Sequence, residues 1–370
     1  MAVPAAGLAV LPGDHLRFID LLRAIAAQCI VWHHFATYGP LAESMGALFP
    51  DVLAWLHEHA RLAVHAFLAV GGFLTARHLQ RVQPGDFRRF TRELAQRYVR
   101  VGGPYLVLLA IAIVANALAG QWLDHPVIAP PPTLSQVFAH VLLLQDLTGH
   151  SALSTGLWYV AIDFQLFALS LAIWWLAHAA VRGRARAARQ LGFTTLAALA
   201  CGSVVWFNRN PDLDALAPYF FGSYFCGMAA RWAIGRRAAW PMLAWVAVVV
   251  FAEWLAWRTR LLLACGTGLA LLLAAAWHRQ PRSPAWRQRM VEYLGRTSFS
   301  LFLIHFPVYL LASAWLARSP LAPATAALGM LAAWCASLLC ADVLYRAVEY
   351  PCLSLSRRLA LPDPPDAARG

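Results

Sequence analysis

Ten stretches of roughly twenty apolar residues recur along this chain, at about 18–38, 59–77, 101–120, 157–180, 190–207, 217–235, 239–257, 261–277, 297–316 and 324–345. Each is close to the ~20 residues a helix needs to cross the hydrocarbon core of a bilayer. Backbone polar groups find no water there, so each segment must satisfy its own hydrogen bonds as a helix. The expected fold is therefore all-α, a polytopic integral membrane protein of about ten transmembrane helices. The chain is 60% hydrophobic and only 13% charged, which excludes a soluble domain. A further stretch, TLSQVFAHVLLLQDL at 133–147, is short and carries His140, Gln145 and Asp146. It reads as a re-entrant or interfacial helix rather than a span.

Arginine placement orients the segments. The chain has no lysine, so all 30 basic residues are arginine. With the N-terminus in the cytoplasm, 24 arginines are assigned to the inside and 5 to the outside, and Arg23, deep in the first span, completes the 30. That bias predicts ten spans with both termini cytoplasmic. Counting 133–147 as a span would throw RGRARAAR (182–189) outside. The net charge of +12 is thus an orienting charge and implies no nucleic acid. Residues 1–18 lack the basic n-region and long apolar h-region of a cleavable signal. Residues 1–358 read as one transmembrane domain and 359–370 as a disordered cytoplasmic tail. The seven cysteines fall mostly inside apolar spans without metal-ligand spacing, so buried free thiols and no metal site are expected.

The first span, FIDLLRAIAAQCIVWHHF (18–35), breaks the apolar pattern with Asp20, Arg23, His33 and His34. Ionisable groups in a span are costly and mark functional sites. At ~100° per residue, the eleven steps from Arg23 to His34 return to within about 20° of one helix face, about 16 Å apart along the axis. His33 points about 100° away. An imidazole suits the role of a general base, and a histidine satisfied by a neighbouring helix is the competing reading. Asp20 or Asp163 is placed either to orient that imidazole or to hold Arg23, with an internal Asp20–Arg23 pair the alternative.

Arg97 and Arg100 stand three residues apart where the third span begins. Cations at a helix start oppose its dipole, so a bound pyrophosphate is the expectation, with anchoring against anionic lipid the alternative. His305 precedes Pro307 in the ninth span and is either a second site member or a packed core histidine. Glu349 reads as a cap or a partner for Arg346.

Six segments, taken in order, resemble the acyltransferase-3 family of bacterial membrane acyltransferases. They are RFIDLLRAIAAQCIVWHH (17–34), HAFLAVGGFLTAR (65–77), RYVR (97–100), LWYVAIDFQLF (157–167), YLGRTSFSLFLIHFPVYLL (293–311) and VEYP (348–351). Gly71 stands where that family usually has Ser, His65 where Asp is common, Asp163 for Glu and Ala24 for Gly. The resemblance implies transfer of an acyl group, often acetyl or succinyl, from a cytoplasmic acyl-CoA to an envelope carbohydrate, in the bacterial inner membrane. It implies His34 as base with Asp20 and Asp163 as the catalytic carboxylates, and Arg23, Arg97 and Arg100 for the acyl-CoA. His65, His305 and Trp158 would face the carbohydrate acceptor. Acyl-CoA is then a substrate rather than a resident cofactor. The rival is a secondary transporter or lipid-linked sugar carrier, with the intramembrane His, Asp and Arg as a proton relay.

Overall fold

The computed structural model describes residues 13–81, 87–181, 183–276 and 284–359, and among them every regular element is a helix. In chain order the α-helices are α1 (Gly13–Thr37), α2 (Gly39–Met45), α3 (Pro50–His59), α4 (Ala63–Leu79), α5 (Phe87–Ala119), α6 (Leu134–Val141) and α7 (Leu157–Ala180). They continue with α8 (Ala185–Val205), α9 (Ala217–Arg236), α10 (Trp240–Leu255), α11 (Thr259–Ala276), α12 (Ala285–Leu316), α13 (Pro323–Leu344) and α14 (Tyr350–Arg358). A π turn, Tyr345–Glu349, joins the last two.

Each of the ten apolar stretches falls on one helix: α1, α4, α5 and α7 to α13. Among the described residues, six segments are long and apolar enough to cross a membrane: Pro50–Leu79, Phe87–Ala119, Leu157–Ala180, Ala185–Arg209, Ala285–Leu316 and Pro323–Arg358. The other four fall short of that measure for identifiable reasons. α1 carries Asp14, Arg17, Asp20 and Arg23, and α9 is diluted by glycine, tyrosine and arginine. α10 and α11 are apolar but short.

Two expectations need correction. α5 begins at Phe87, so Arg97 and Arg100 lie about three turns inside a helix and not at its start. Their amides are bonded within the helix, so any anion there would be held by side chains alone. All seven cysteines are free, but only Cys226 and Cys265 are buried, and Cys335 is exposed. α6 is eight residues long, about 12 Å, and too short to cross. Its Leu134 and Phe138, with Leu142 just beyond, are exposed on one stripe while His140 is fully buried, the pattern of a helix lying along a surface. Residues 1–12 of the N-terminal stretch 1–18, expected not to be a cleavable signal, and the tail expected to be disordered, after its first residue, lie outside the described residues.

The bundle is built around α9, whose residues from Tyr219 to Ala233 are all buried. α4 packs closely against it, and α1 packs against α12 and α4. Pro307 does not end α12, which continues to Leu316; a proline within a helix costs one hydrogen bond but can be tolerated by packing.

Candidate active site

The last turn of α1 and the middle of α12 bring His34 and His305 together. His34 Nδ1 lies 2.7 Å from His305 Nε2. The ring planes are within 6° of each other and the centroids 5.0 Å apart. Face-to-face rings could not approach closer than about 3.5 Å between atoms, so the two imidazoles meet edge to edge in one plane. That is the geometry of a direct in-plane hydrogen bond. Both side chains are buried, His305 completely.

The tautomers follow from the neighbours. His305 Nδ1 sits 3.0 Å from the Leu301 carbonyl, which only accepts. Its Nδ1 therefore carries hydrogen, and in the neutral ring Nε2 is left as acceptor. His34 Nδ1–H must then be the donor between the rings, and His34 Nε2 keeps the lone pair. Thr155 Oγ1 lies 3.3 Å from the same His34 Nδ1. The Tyr38 and Phe306 rings flank His34 at 5.8 and 6.1 Å. His33 turns the other way, with Nδ1 3.2 Å from the Leu56 carbonyl on α3.

Below this pair lies a column of charges. Arg97 Nη2 donates to Asp163 Oδ2 at 2.5 Å and lies over the Phe167 ring, 5.2 Å from its centre. Gly71 makes room for Asp163: a Cβ there would stand 2.9 Å from its Oδ1 and 3.2 Å from the Tyr224 ring. The Tyr224 hydroxyl is 2.5 Å from Thr75 Oγ1. Arg100 is the accessible neighbour, within electrostatic reach of Arg97, Arg23, Glu349 and Asp163. Glu349, in the π turn, accepts from Ser300 Oγ at 2.6 Å and faces Arg23 and Arg100. Arg346 pairs instead with Asp342 at 2.7 Å, so the expected Glu349–Arg346 pair is not formed. π turns within helices recur at functional sites.

Of the residues singled out in the sequence, His34 and His305 are in contact, as are Arg97 and Asp163. Arg23 and Arg100 share Glu349. Asp20 stands about 21 Å along α1 from His34, pressed against Gly295 of α12, with Arg23 and Glu292 as its charged neighbours. His65 Nδ1 is 2.9 Å from Ser223 Oγ, and its ring meets Phe220, on which Trp158 also packs at 5.6 Å. Thr155 and Glu349 were not singled out as site members. Glu349 had a signal, an acid closing an apolar span; Thr155 had none, because loop threonines are too common to stand out.

A buried histidine pair, with arginines and carboxylates gathered in the same helix bundle, is carried by segments in one fixed order. A family model described as an acyltransferase domain matches residues 16–346, nearly the whole chain. The chain belongs to the acyltransferase-3 family. No curated protein and no solved structure gave a match. The matched range of this membrane acyltransferase contains His34, Arg97, Asp163 and His305, and stops just short of Glu349.

Proposed function

We propose that this acyltransferase moves an acyl group, acetyl foremost, from acyl-CoA to a hydroxyl of an envelope carbohydrate, with His34 Nε2 as general base. The observation that carries the reading is the His34–His305 hydrogen bond, which leaves Nε2 as the one basic atom of that pair. As the hydroxyl oxygen attacks the thioester carbonyl, Nε2 takes its proton. His305 Nε2 accepts from the charged imidazolium and holds it in position. When the C–S bond breaks, the departing thiolate takes the proton back, leaving an ester and free coenzyme A thiol. Arg100, with Arg23 beside Glu349, lies on the side of His34 from which a cytoplasmic donor would approach. His65 and Trp158, gathered on Phe220, would lie toward the acceptor.

The arginine distribution supports ten spans with both termini in the cytoplasm, and membership of a family of bacterial membrane acyltransferases supports residence in a bacterial inner membrane. A carrier is the weaker reading: the histidine pair ends on the Leu301 carbonyl, which is not a proton acceptor in a relay. The test is transfer of labelled acetyl from acetyl-CoA to a carbohydrate acceptor by protein in nanodiscs. Transfer that is lost in His34→Ala supports the reading. Substrate counterflow without transfer would replace it with the carrier.

A further inference from the structure

Arg231 of α9 is only 3% exposed, yet its Nε and Nη1 have no hydrogen-bond partner among the described residues. The charged groups around it are Arg77 and Arg81, at the end of α4. Arg77 lies within reach of Arg81, and its own Nε is also buried without a partner. Among the described residues, no carboxylate forms an ion pair with any of the three.

Such a cluster is unfavourable as it stands. Buried charges are paired or hold a ligand, and a guanidinium keeps its charge where a lysine would shed it. An excess of arginine on the inside of a membrane explains why these residues lie at this end of the helices. It does not explain a buried fork with unfilled donors, because an anchoring arginine extends its head toward water. Position adds to the case. Arg231 follows Tyr224 by seven residues, so the two share a face of α9, about 10 Å apart along it. Tyr224 borders Asp163 and Gly71. The arginine cluster thus continues, toward the common C-terminal end of α4 and α9, the face that lines the charged column.

We propose that Arg77, Arg81 and Arg231 form a phosphate-binding site. Phosphate oxygens accept from planar guanidinium forks and supply the missing negative charge. Two sources carry that chemistry. One is the nucleotide phosphates of the acyl-CoA donor, an assignment that rests on the function proposed above. The other is the headgroup of an anionic phospholipid, which does not.

The test uses the full-length protein and the variants Arg231→Gln and Arg77→Gln; Arg77 is partly exposed, so its variant remains informative if Arg231→Gln does not fold. One arm measures binding of adenosine 3′,5′-bisphosphate in phosphatidylcholine nanodiscs by calorimetry. The other counts phosphatidylglycerol retained from mixed nanodiscs by native mass spectrometry. Loss of one or more charge-assisted hydrogen bonds should weaken binding about tenfold or more in one arm, and the arm affected names the source. Binding in neither arm by the wild type, or affinity unchanged in both arms by the folded variants, overturns the site. Acetyl transfer by the same wild-type preparation is scored separately. A protein that holds phosphate through these arginines but transfers nothing loses the proposed function and keeps the site.

Discussion

Gly72 on α4 lies against the Tyr224 carbonyl on α9 with no room for a side chain: a Cβ there would sit 1.8 Å from that oxygen. The contact is mirrored one turn away, where a Cβ on Gly227 of α9 would sit 1.7 Å from the Ala69 carbonyl of α4. Small residues let membrane helices approach backbone to backbone, where packing rather than the hydrophobic effect drives association. This seam holds Gly71 and Tyr224 beside Asp163, so helix packing and site geometry depend on the same contact.

Gly72→Ala and Gly227→Ala are each expected to destabilise the bundle by about 1–3 kcal/mol or more, as overpacking does. Gly266→Ala on α11 is the control, since nothing lies within 4 Å of its added methyl. It should be neutral, or stabilising by up to about 1 kcal/mol through helix propensity. Melting in detergent, followed by tryptophan fluorescence, checks this; equal melting of all three would show that the seam is not tightly packed.

His34→Ala should lower transfer by about 10²–10⁴-fold, the usual scale of general-base catalysis. His33→Ala should cost far less, because that ring bonds toward Leu56. His305→Gln should fall between them, since a side-chain carbonyl can still accept from His34 Nδ1–H but fits the plane less well. Rates at saturating donor rank the three. A His33 variant as damaged as the His34 variant would overturn the assignment.

Arg97 and Asp163 are both largely buried, with side-chain exposures of 16% and 11%. Arg97→Ala should therefore cost about 3–5 kcal/mol, because it strands a buried carboxylate. The joint replacement Arg97→Met/Asp163→Leu should recover most of that stability. Denaturant titration of the three proteins measures it, and a double variant no more stable than Arg97→Ala would contradict the argument.

Arg100 is exposed, and when it is removed Glu349 keeps Ser300 and Arg23 beside it. Arg100→Ala should weaken acetyl-CoA binding by about tenfold or more with little change in melting temperature. Calorimetry against a melting curve separates the two effects; a melting loss like that of Arg97→Ala, with donor affinity intact, would make Arg100 a structural residue.

In the proposed ten-span arrangement 182–189 lies in the cytoplasm. Single cysteines introduced there, in a background lacking the native seven, should react with an impermeant thiol reagent only after the cells are opened. Labelling of intact spheroplasts would refute the ten-span arrangement.

The sequence located the parts of this site better than their partners. Asp163 and Arg97 stood out as charges in apolar surroundings, but nothing in either segment said that they meet. Asp20 was as conspicuous as His34, yet the fold sets it beside Gly295 at the far end of α1. The anion argument for Arg97 rested on a helix start that the apolar pattern put too late, because the polar first turns of α5, from Phe87 onward, carry no hydrophobic signal. Glu349 reads in the sequence as a cap or a partner for Arg346, three residues away; in the fold it lies in a π turn and accepts from Ser300.

By itself the sequence determined that the chain is helical through its apolar stretches, how its arginines are distributed between those stretches, and that His34 and Arg23 share a face. Those properties are local: an apolar run of sufficient length, a charge count between runs, and a fixed rotation per residue. Only the tertiary structure decided that His34 meets His305, 271 residues away, and that Arg97 meets Asp163, 66 residues away. The reason is physical. Lipid tails are as apolar as leucine, so hydrophobicity puts a helix in the membrane without choosing its neighbour. That choice falls to close contacts such as Gly72 on Tyr224 and to a few polar bonds, and neither leaves a periodic trace in the sequence.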